Sequence, residues 1–367
     1  MDGLGPRKIF PLSQAGITYS QNPSIMYKFF RPLLFRLDPE VAHQLTLQLL
    51  RTAGFIPPMV WLLQRMYAVP SEPVRAFGLT FKNQVGLAAG YDKDGVAIRG
   101  LSALGFGHLE VGTVTLQPQP GNPQPRVFRL VEDQAVINRM GFPGEGSAYM
   151  TENLKNLNKG YFKRPNTMIG VNLGRNKDTP NEEAVLDYLA LLQIFAPHAD
   201  YLAINISSPN TVGLRQLQGR AALEGLLKQL DVQRRMEQTA LDKRLPLLVK
   251  LAPDLTESEL DEAVDVSFSN HIDGLIVTNT SLARQGLRSR HREETGGLSG
   301  SPLRVRSEAV LSQVVKRVYG KIPVVSVGGI MSPEDARRRF DLGATLVQLY
   351  TGLVYQGPGL VKKILEQ

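Results

Sequence analysis

The chain repeats one pattern eight times between Gln84 and Gly352: a short apolar, β-branched run that ends in a cluster of small and polar residues. The eight runs read VGLAAGYDK, LEVGTVT, IGVNLGRNK, LAINISSPNT, LLVKLAPD, LIVTNTS, VVSVGGI and VQLYTG. Roughly 20 to 50 residues with helical periodicity separate most of them, so strands alternate with helices. Eight parallel strands can close into a (β/α)8 TIM barrel, whose catalytic groups sit at the carboxyl ends of the strands. We therefore predict this fold, with its site among the polar strand ends.

Composition excludes several chemistries but selects none. The 43% of hydrophobic residues in a chain of 367 suffices for a large core. The net charge of +8 and the pI of about 9.6 suit an anionic partner such as a phosphate cofactor, an acidic substrate or an anionic membrane. No nucleic-acid motif is present, so we expect no nucleic acid partner. The absence of cysteine excludes disulfides, thiolate nucleophiles and Cys-ligated metal centres, and we predict no metal site.

The chain divides into three predicted segments. Residues 1–23 are rich in Gly, Pro, Ser and Gln and are predicted to form a flexible tail. Residues 24–70 show helical patterns, with Asp38-Pro39 as N-cap and first residue of a helix that ends at Gly54, and with a third helix after Pro57-Pro58. Residues 71–367 form the predicted barrel, which begins with a short strand and turn in FGLTFKN.

The helical segment 24–70 is apolar, aromatic and basic, which leaves two interpretations open. It is either a small subdomain packed on the barrel or an anchor at a membrane surface. No apolar stretch of the chain reaches the ~18 residues that a spanning helix needs, and we expect no secretory signal in the first 25 residues. A surface-bound protein is compatible with both observations.

Two long loops interrupt the repeat. The stretch from Gln117 to Arg126 is too rich in proline for a helix and leads into VFRL and AVINRM, which predict an extra hairpin over the barrel mouth. After the sixth strand, ARQGLRSRHREETGGLSG is predicted to be a long basic loop at the same face.

The glycines of the last two strand ends have two possible roles. In a barrel, the loops after strands seven and eight often bind phosphate through backbone N–H groups. Gly328-Gly329 and Tyr350-Thr351-Gly352 lie at these positions, and their alternative role is that of ordinary turn residues.

Polar side chains recur at the other strand ends. Five asparagines are expected to share one face, although an isolated asparagine is usually a turn former: Asn138, Asn172, Asn205, Asn210 and Asn279. Lys250 within an apolar strand calls for an anionic partner or, alternatively, Schiff-base chemistry, whereas Lys93 is equally compatible with a solvated turn. The segment from Asn205 to Thr211 is either a reactive centre under a movable lid or a turn.

Taken in order, eleven motifs resemble dihydroorotate dehydrogenase from about Tyr27 to the C-terminus. They are AAGYDKDG, EVGTVT, GNPQPRVFRL, NRMGF, GVNLGRNK, INISSPNT, VKLAPDL, IVTNT, TGGLSG, VGGI and VQLYTG. The similarity is to the quinone-dependent, membrane-associated class, which has an N-terminal helical extension and a serine where the cytosolic class carries a cysteine base. The resemblance implies oxidation of (S)-dihydroorotate to orotate in pyrimidine biosynthesis, with bound FMN and a quinone as second substrate. It also favours a peripheral membrane protein, at the cytoplasmic face of the inner membrane if the source is bacterial, and a monomer.

The resemblance also implies roles for individual residues. Ser208 corresponds to the catalytic base. The implied substrate residues are Lys93, Asn138, Arg139, Met140, Gly141, Phe142, Asn205, Asn210, Asn279 and Thr280. The implied FMN residues are Ala89, Gly90, Thr113, Asn172, Asn205, Lys250, Thr278, Gly300, Gly329, Tyr350 and Thr351. His43, Arg129 and Tyr350 are implied to lie near the quinone head.

Three alternatives stay open beside this resemblance. They are another FMN-dependent barrel oxidoreductase, a dihydroorotate dehydrogenase of the cytosolic class, and a flavin-free barrel that binds membranes. The chain also departs from the family pattern after NRMGF, where Pro143-Gly144-Glu145-Gly146 replaces the usual asparagine. A substrate contact is therefore expected to be lost there or supplied by the backbone.

Overall fold

The computed structural model describes residues 23–159 and 163–367. The predicted flexible tail over residues 1–23 lies outside this part of the chain except for Pro23, which begins the first helix.

The described strands and helices alternate along most of the chain. The strands are β1 (Val74–Ala76), β2 (Leu79–Phe81), β3 (Val85–Leu87), β4 (His108–Val114), β5 (Val127–Leu130), β6 (Ala135–Asn138), β7 (Met168–Leu173), β8 (Tyr201–Asn205), β9 (Leu247–Leu251), β10 (Gly274–Val277), β11 (Gly297–Gly300), β12 (Val324–Val327) and β13 (Leu346–Leu349). The α-helices are α1 (Pro23–Leu34), α2 (Pro39–Gly54), α3 (Pro57–Tyr67), α4 (Ile98–Ser102), α5 (Gly146–Lys155), α6 (Ala184–Phe195), α7 (Arg220–Leu241), α8 (Glu257–Ser269), α9 (Arg304–Val318), α10 (Pro333–Asp341), α11 (Thr351–Gln356) and α12 (Gly359–Leu365).

Eight of the strands close into a parallel barrel, which confirms the predicted fold. Their order around the barrel is β3, β4, β7, β8, β9, β10, β12 and β13, and the last pairs with the first through Leu349 and Leu87. The strands carry apolar runs on both faces because one face fills the barrel interior and the other packs against the surrounding helices. All eight polar strand ends therefore meet at one face of the barrel.

A hairpin of β1 and β2 closes the opposite, amino-terminal end of the barrel. Phe77 and Phe81 of this hairpin pack against Tyr201 and other buried side chains at the starts of the strands. The ring of His108 lies edge-on to Phe81 at 5.5 Å, and a Cβ atom on Gly86 would come within 2.1 Å of that ring. The sequence analysis recognised only the second strand of this hairpin.

A three-stranded antiparallel sheet covers part of the barrel mouth. The predicted hairpin is confirmed as β5 and β6, but the predicted long basic loop is wrong in its last part, because Gly297–Gly300 forms β11 and pairs with β6. Two glycines and a serine give this strand no intrinsic β preference, so the pairing partner determines its conformation. Ser299 and Gly300 of this strand line a cavity at the barrel mouth.

The N-terminal helices pack on the mouth of the barrel. The predicted limits of α2 and the predicted start of α3 at Pro57 are confirmed. The Asp38 carboxylate caps α2 by accepting the backbone N–H groups of Glu40 and Val41 at 2.8 and 3.2 Å. Glu40 also forms an ion pair of 2.7 Å with Arg126 from the proline-rich mouth loop, and both side chains are about nine-tenths buried. This pair joins the extension to the loops at the carboxyl ends of the barrel strands.

The outer face of the extension remains apolar and exposed. Phe29, Leu33 and Trp61 expose 78%, 63% and 62% of their surface. Such a concentration of exposed large apolar residues marks a surface that contacts a membrane or a partner. In the described part of the chain, no helix is both long and apolar enough to cross a bilayer.

The buried His108 should make the fold sensitive to acid. Burial lowers the pKa of His108 to about 3, whereas the unfolded histidine titrates near 6.5. Below about pH 6.5 the histidine of the unfolded chain takes up a proton, whereas the buried histidine of the folded chain does not. The folded state therefore loses stability as the pH falls from about 6.5 toward 3. Between about pH 6 and pH 4 the unfolding free energy should fall more steeply in the wild type than in His108→Gln, by about 1.4 kcal/mol per pH unit. Urea unfolding at each pH measures this, and parallel curves would contradict a neutral His108.

Candidate active site

One cavity of about 480 Å³ runs from the N-terminal helices to the carboxyl ends of the barrel strands. Almost all of the residues singled out from the sequence line it. They are His43, Ala89, Gly90, Lys93, Thr113, Arg129, Asn138, Met140, Gly141, Phe142, Asn205, Ser208, Asn210, Lys250, Thr278, Asn279, Thr280, Gly300, Gly329, Tyr350 and Thr351. The structure thus brings the predicted residues of the strand ends and of the extension to a single site.

Two predicted site residues do not line the cavity. The side chain of Arg139 donates to Glu294 at 2.7 Å and stacks on Phe128 at 4.6 Å, so it is held away from the cavity that its neighbours line. Asn172 is fully buried behind the wall, where its amide oxygen accepts hydrogen bonds from Thr113 and Asn205 at 2.5 and 3.1 Å. Asn172 therefore acts on the cavity through these two residues.

Hydrogen bonds connect the asparagines of the strand ends. Asn279 donates to the Asn205 side chain at 3.2 Å, and Asn205 in turn donates to the Thr113 hydroxyl at 2.9 Å. Across the cavity, Asn210 donates to Asn138 at 3.1 Å. Because each amide carries both donors and acceptors, the group can orient a planar ligand that has N–H and C=O groups on its edge.

The loop that follows β8 places the Ser208 hydroxyl in the cavity wall. Ser208 is buried, and its Oγ accepts the backbone N–H of Asn210 at 3.3 Å. Arg215 fixes the base of this loop by donating to the backbone carbonyls of Ser207 and Thr280 at 3.1 and 3.0 Å. Val212 at the tip is 87% exposed. The loop is thus anchored beneath Ser208, and at its tip the Val212 carbonyl accepts from Arg175 at 2.8 Å while the Val212 side chain faces solvent.

Lys93 supplies a cation to the cavity. Its ammonium donates to the Gly90 carbonyl at 2.8 Å. Burial lowers the pKa of Lys93 to about 8, and the carboxylates of Asp94 and Glu40 partly oppose this shift. The group therefore stays mostly protonated at neutral pH and suits an anionic ligand.

Glu110 is a site residue that the sequence analysis missed. This carboxylate is fully buried inside the barrel and accepts from side chains on four other strands. The donors are Lys250 at 3.4 Å, Asn172 at 2.8 Å, Gln348 at 2.7 Å and Tyr201 at 3.5 Å. Burial, with the Glu110 charge as a second cause, raises the pKa of Tyr201 well above its usual range. The signal was a charged residue in the apolar run HLEVGTV, the same signal that pointed to Lys250.

Glycine backbone forms one end of the cavity. Gly328, Gly329 and Gly300 have φ values of +106°, +74° and +96°, which favour glycine. A Cβ atom on Gly329 would lie 2.4 Å from the Cα of Arg304, so a side chain has no room there. Backbone N–H groups can therefore approach a ligand closely at this end.

Aromatic rings line the opposite end, beneath the extension. Tyr91 lies edge-on to His43 at 5.0 Å and to Tyr350 at 5.8 Å. Burial, supported by the charge of Lys93, lowers the pKa of His43 to about 3, so the ring is neutral at pH 7. Arg129 stacks on Phe35 at 4.7 Å and donates to the backbone carbonyls of Leu34, the last residue of α1, and of Leu37.

Comparison with known proteins decides the family. The family model described as dihydroorotate dehydrogenase matches residues 73–367, which is most of the chain. The chain belongs to the dihydroorotate dehydrogenase family. The resemblance of its motifs to dihydroorotate dehydrogenase is thereby confirmed.

Relatives within the dihydroorotate dehydrogenase family cover nearly the whole chain. A protein of Halorhodospira halophila named dihydroorotate dehydrogenase (quinone) is 48% identical over 339 residues, which are 92% of this chain and 96% of that protein. A protein of the same name from Idiomarina loihiensis is 47% identical over 93% of this chain and 99% of its own length. The solved structure of DHODH in complex with ferulenol from Eimeria tenella has a TM-score of 0.81 and 38% identity, with 91% and 93% of the two chains covered.

The departure from the dihydroorotate dehydrogenase pattern lies beside the cavity. Phe142 lines the cavity, whereas none of the four residues Pro143 to Gly146 does. The Asp94 carboxylate accepts the backbone N–H of Glu145 at 2.9 Å, and Gly144 pairs with Gln119 through backbone hydrogen bonds. Hydrogen bonds to Asp94 and Gln119 thus hold the backbone of this loop at the barrel mouth.

The Glu110 network gives a test of the site's electrostatics. Glu110→Ala leaves the Lys250 ammonium buried without its carboxylate, so we expect a loss of about 3 kcal/mol or more in the free energy of unfolding. The double variant Glu110→Met with Lys250→Met removes both charges and should recover most of that loss. Urea unfolding of the two variants and the wild type measures the effect. Equal losses in the single and double variants would contradict a charge pair.

Proposed function

We propose that this protein oxidises (S)-dihydroorotate to orotate in pyrimidine biosynthesis, with FMN as its bound cofactor and a membrane quinone as its second substrate. The observation that carries the proposal is the single cavity that joins Ser208 and the asparagines to the apolar helices of the extension. The names of the relatives, dihydroorotate dehydrogenase (quinone), support the same reaction. No observation favours one of the alternative barrel enzymes.

The chemistry of the cavity wall fits FMN. The glycine backbone at Gly328 and Gly329 suits a phosphate, and the Lys250 ammonium suits the electron-rich edge of a flavin ring. The buried Thr278 hydroxyl lines the cavity and has no hydrogen-bond partner within residues 23–159 and 163–367, as expected of a group that binds a ligand. When bound, FMN supplies the hydride acceptor of the reaction.

The residues proposed to hold FMN come from most of the strand ends. They are Ala89, Gly90, Thr113, Asn205, Lys250, Thr278, Gly300, Gly329, Tyr350 and Thr351, with Asn172 behind Thr113 and Asn205. The amine of Lys250 lies against Glu110, so we assign it an electrostatic role and not a Schiff base.

The dihydroorotate site follows from charge and hydrogen bonding. Lys93 binds the carboxylate, and Asn138, Asn205, Asn210 and Asn279 with Thr280 bind the amide and imide groups of the ring. Met140, Gly141 and Phe142 form the adjoining wall. Arg139 is left out of this proposal because Glu294 holds its side chain elsewhere.

Ser208 acts as the base that removes the proton from C5 of dihydroorotate. That proton is α to a carbonyl, which acidifies it, but a neutral serine is still a weak base. The backbone N–H of Asn210 donates to Ser208 Oγ, which leaves the hydroxyl hydrogen available. As Oγ takes the C5 proton, this hydrogen passes through a hydrogen-bonded relay to solvent. Arg215 fixes the loop and so keeps Oγ in place. Orientation of this kind supplies much of the rate when the base is weak.

The extension delivers the quinone. His43, Arg129 and Tyr350 surround its head, and the apolar faces of α1 and α2 admit it from the lipid. The exposed side chains of Phe29, Leu33 and Trp61 dock the protein on the membrane surface, where a hydrophobic quinone is dissolved. We place the protein at the cytoplasmic face of the inner membrane if the source is bacterial, and its monomeric state stays a prediction.

Removal of the Ser208 hydroxyl tests the base. Ser208→Ala should retain FMN but slow its reduction by dihydroorotate by about 10²- to 10⁴-fold, because the C5 proton then has no acceptor. Ser208→Cys, which restores a side chain able to accept the proton, should recover part of the rate. Anaerobic stopped-flow absorbance measures the rate, and near-normal reduction of Ser208→Ala would remove Ser208 from the mechanism.

Charges on the exposed face of α1 test the membrane site. The double variant Phe29→Glu with Leu33→Glu should lose at least about tenfold in binding to lipid vesicles and should oxidise long-chain quinone slowly, because two apolar contacts become anionic. Its activity with a short, water-soluble quinone should be unchanged. Tyr319→Glu, at a side chain that is 83% exposed elsewhere, is the matched control. Vesicle sedimentation that gives equal binding for all three proteins would refute this face as the docking surface.

A further inference from the structure

Arg339 of α10 is a buried cation that the proposed reaction does not use. Its side chain is fully buried, and it donates to the Gly328 carbonyl at 2.8 Å, to the Ser307 hydroxyl at 2.9 Å and to the Ser326 hydroxyl at 3.4 Å. Burial lowers the pKa of Arg339 to about 10, so the group is still charged at neutral pH. A buried charge is costly, and its retention calls for a compensating interaction.

The surroundings compensate this charge only in part. The nearest carboxylate oxygen, on Glu308, lies 3.7 Å from Arg339 Nε, which is too far for a hydrogen bond. The Asp335 carboxylate is already paired with Arg338 at 2.7 Å and Arg304 at 3.3 Å. These three arginines outnumber the two carboxylates, so a net positive charge lies behind the glycine turn.

The geometry of the turn links this charge to the cavity. The Gly328 carbonyl accepts hydrogen bonds from Arg339 and Ser307 on the side away from the cavity. In a planar trans peptide the N–H points opposite to the C=O, so the N–H of Gly329 is directed into the cavity that both glycines line. Within the described residues this N–H has no hydrogen-bond partner. A donor of this kind, left unpaired and backed by a cation, is suited to an anion.

The cations that line the cavity belong to other walls. Within the described residues they are Lys93, held by Gly90, Arg129, stacked on Phe35, and Lys250, paired with Glu110. None of them is held at the glycine end. An anion at that end therefore meets backbone N–H groups in front and the Arg339 guanidinium behind.

We propose that Arg339 is the positioning residue for a phosphate monoester at the glycine end of the cavity. It fixes the Gly328–Gly329 peptide with the N–H toward the ligand, and its charge stabilises the phosphate dianion through the turn. The inference rests on the proposed function, in which this phosphate is that of FMN. It assigns to a side chain outside the cavity part of the selectivity for FMN over riboflavin, which lacks the phosphate.

Binding of FMN and riboflavin to the flavin-free protein tests the role of Arg339. Arg339→Met should weaken FMN binding by about tenfold or more and riboflavin binding by less than about threefold, because only the phosphate senses the lost charge. Arg339→Gln, which keeps a donor for Gly328 but no charge, should also lose FMN affinity selectively, and Arg339→Lys should recover most of it. Arg337→Met, at an exposed arginine of the same helix that lies outside this charge cluster, is the matched control and should bind both ligands normally.

The outcomes separate this inference from the proposed function. Equal weakening of FMN and riboflavin in both neutral variants, including loss of both ligands, would show a merely structural Arg339 and overturn the inference. Unchanged affinity for both ligands would overturn it as well. If the wild-type protein binds neither flavin, the proposed function fails, whatever the variants do. Isothermal titration calorimetry or quenching of flavin fluorescence measures each affinity.

Discussion

The interior of the barrel is organised around one buried carboxylate. Glu110 has no exposed surface, and Lys250, Asn172 and Gln348 direct their N–H groups at its carboxylate. Each donor comes from a different strand, so the network requires the closed barrel and in turn fixes the rotamers inside it. Two of its members continue to the cavity, Lys250 directly and Asn172 through Thr113. The residues that face the ligand therefore rest on a buried polar network. The hydrogen bonds of this network form only when the barrel is closed.

The cavity above this core has one polar region and one apolar region. Beside the asparagines, their amides and the Lys93 ammonium suit an anionic, water-soluble substrate. At the aromatic end, neutral His43 and the ring of Tyr91 suit an apolar one. The Glu40–Arg126 ion pair joins α2 to the mouth loop, so the N-terminal extension and the barrel mouth are held together. The proposed FMN, bound between the two regions, would pass electrons from the water-soluble substrate to the apolar one.

The sequence was informative where local rules act. Apolar β-branched runs with polar ends predicted all eight barrel strands, and the cap at Asp38 with the prolines after it predicted the limits of α2 and α3. Local rules failed where a distant partner decides the structure. Gly297–Gly300 is a strand only because β6 lies beside it, and Glu40 and Arg126, 86 residues apart, show no sign of each other in the sequence. The motif that contains Arg139 was found correctly, yet the direction of that side chain depends on Glu294, which lies in another loop.

We propose that dihydroorotate and quinone react in turn at two regions of one cavity. Anaerobic mixing of the FMN-loaded protein, first with dihydroorotate and then with a quinone, tests it most directly through the visible absorbance of the flavin. We expect dihydroorotate to bleach the flavin with formation of one orotate per flavin, and quinone to restore the colour whereas fumarate and NAD⁺ do not. A flavin that dihydroorotate leaves unbleached, or that fumarate or NAD⁺ reoxidises as fast as quinone does, would rule out this reaction sequence.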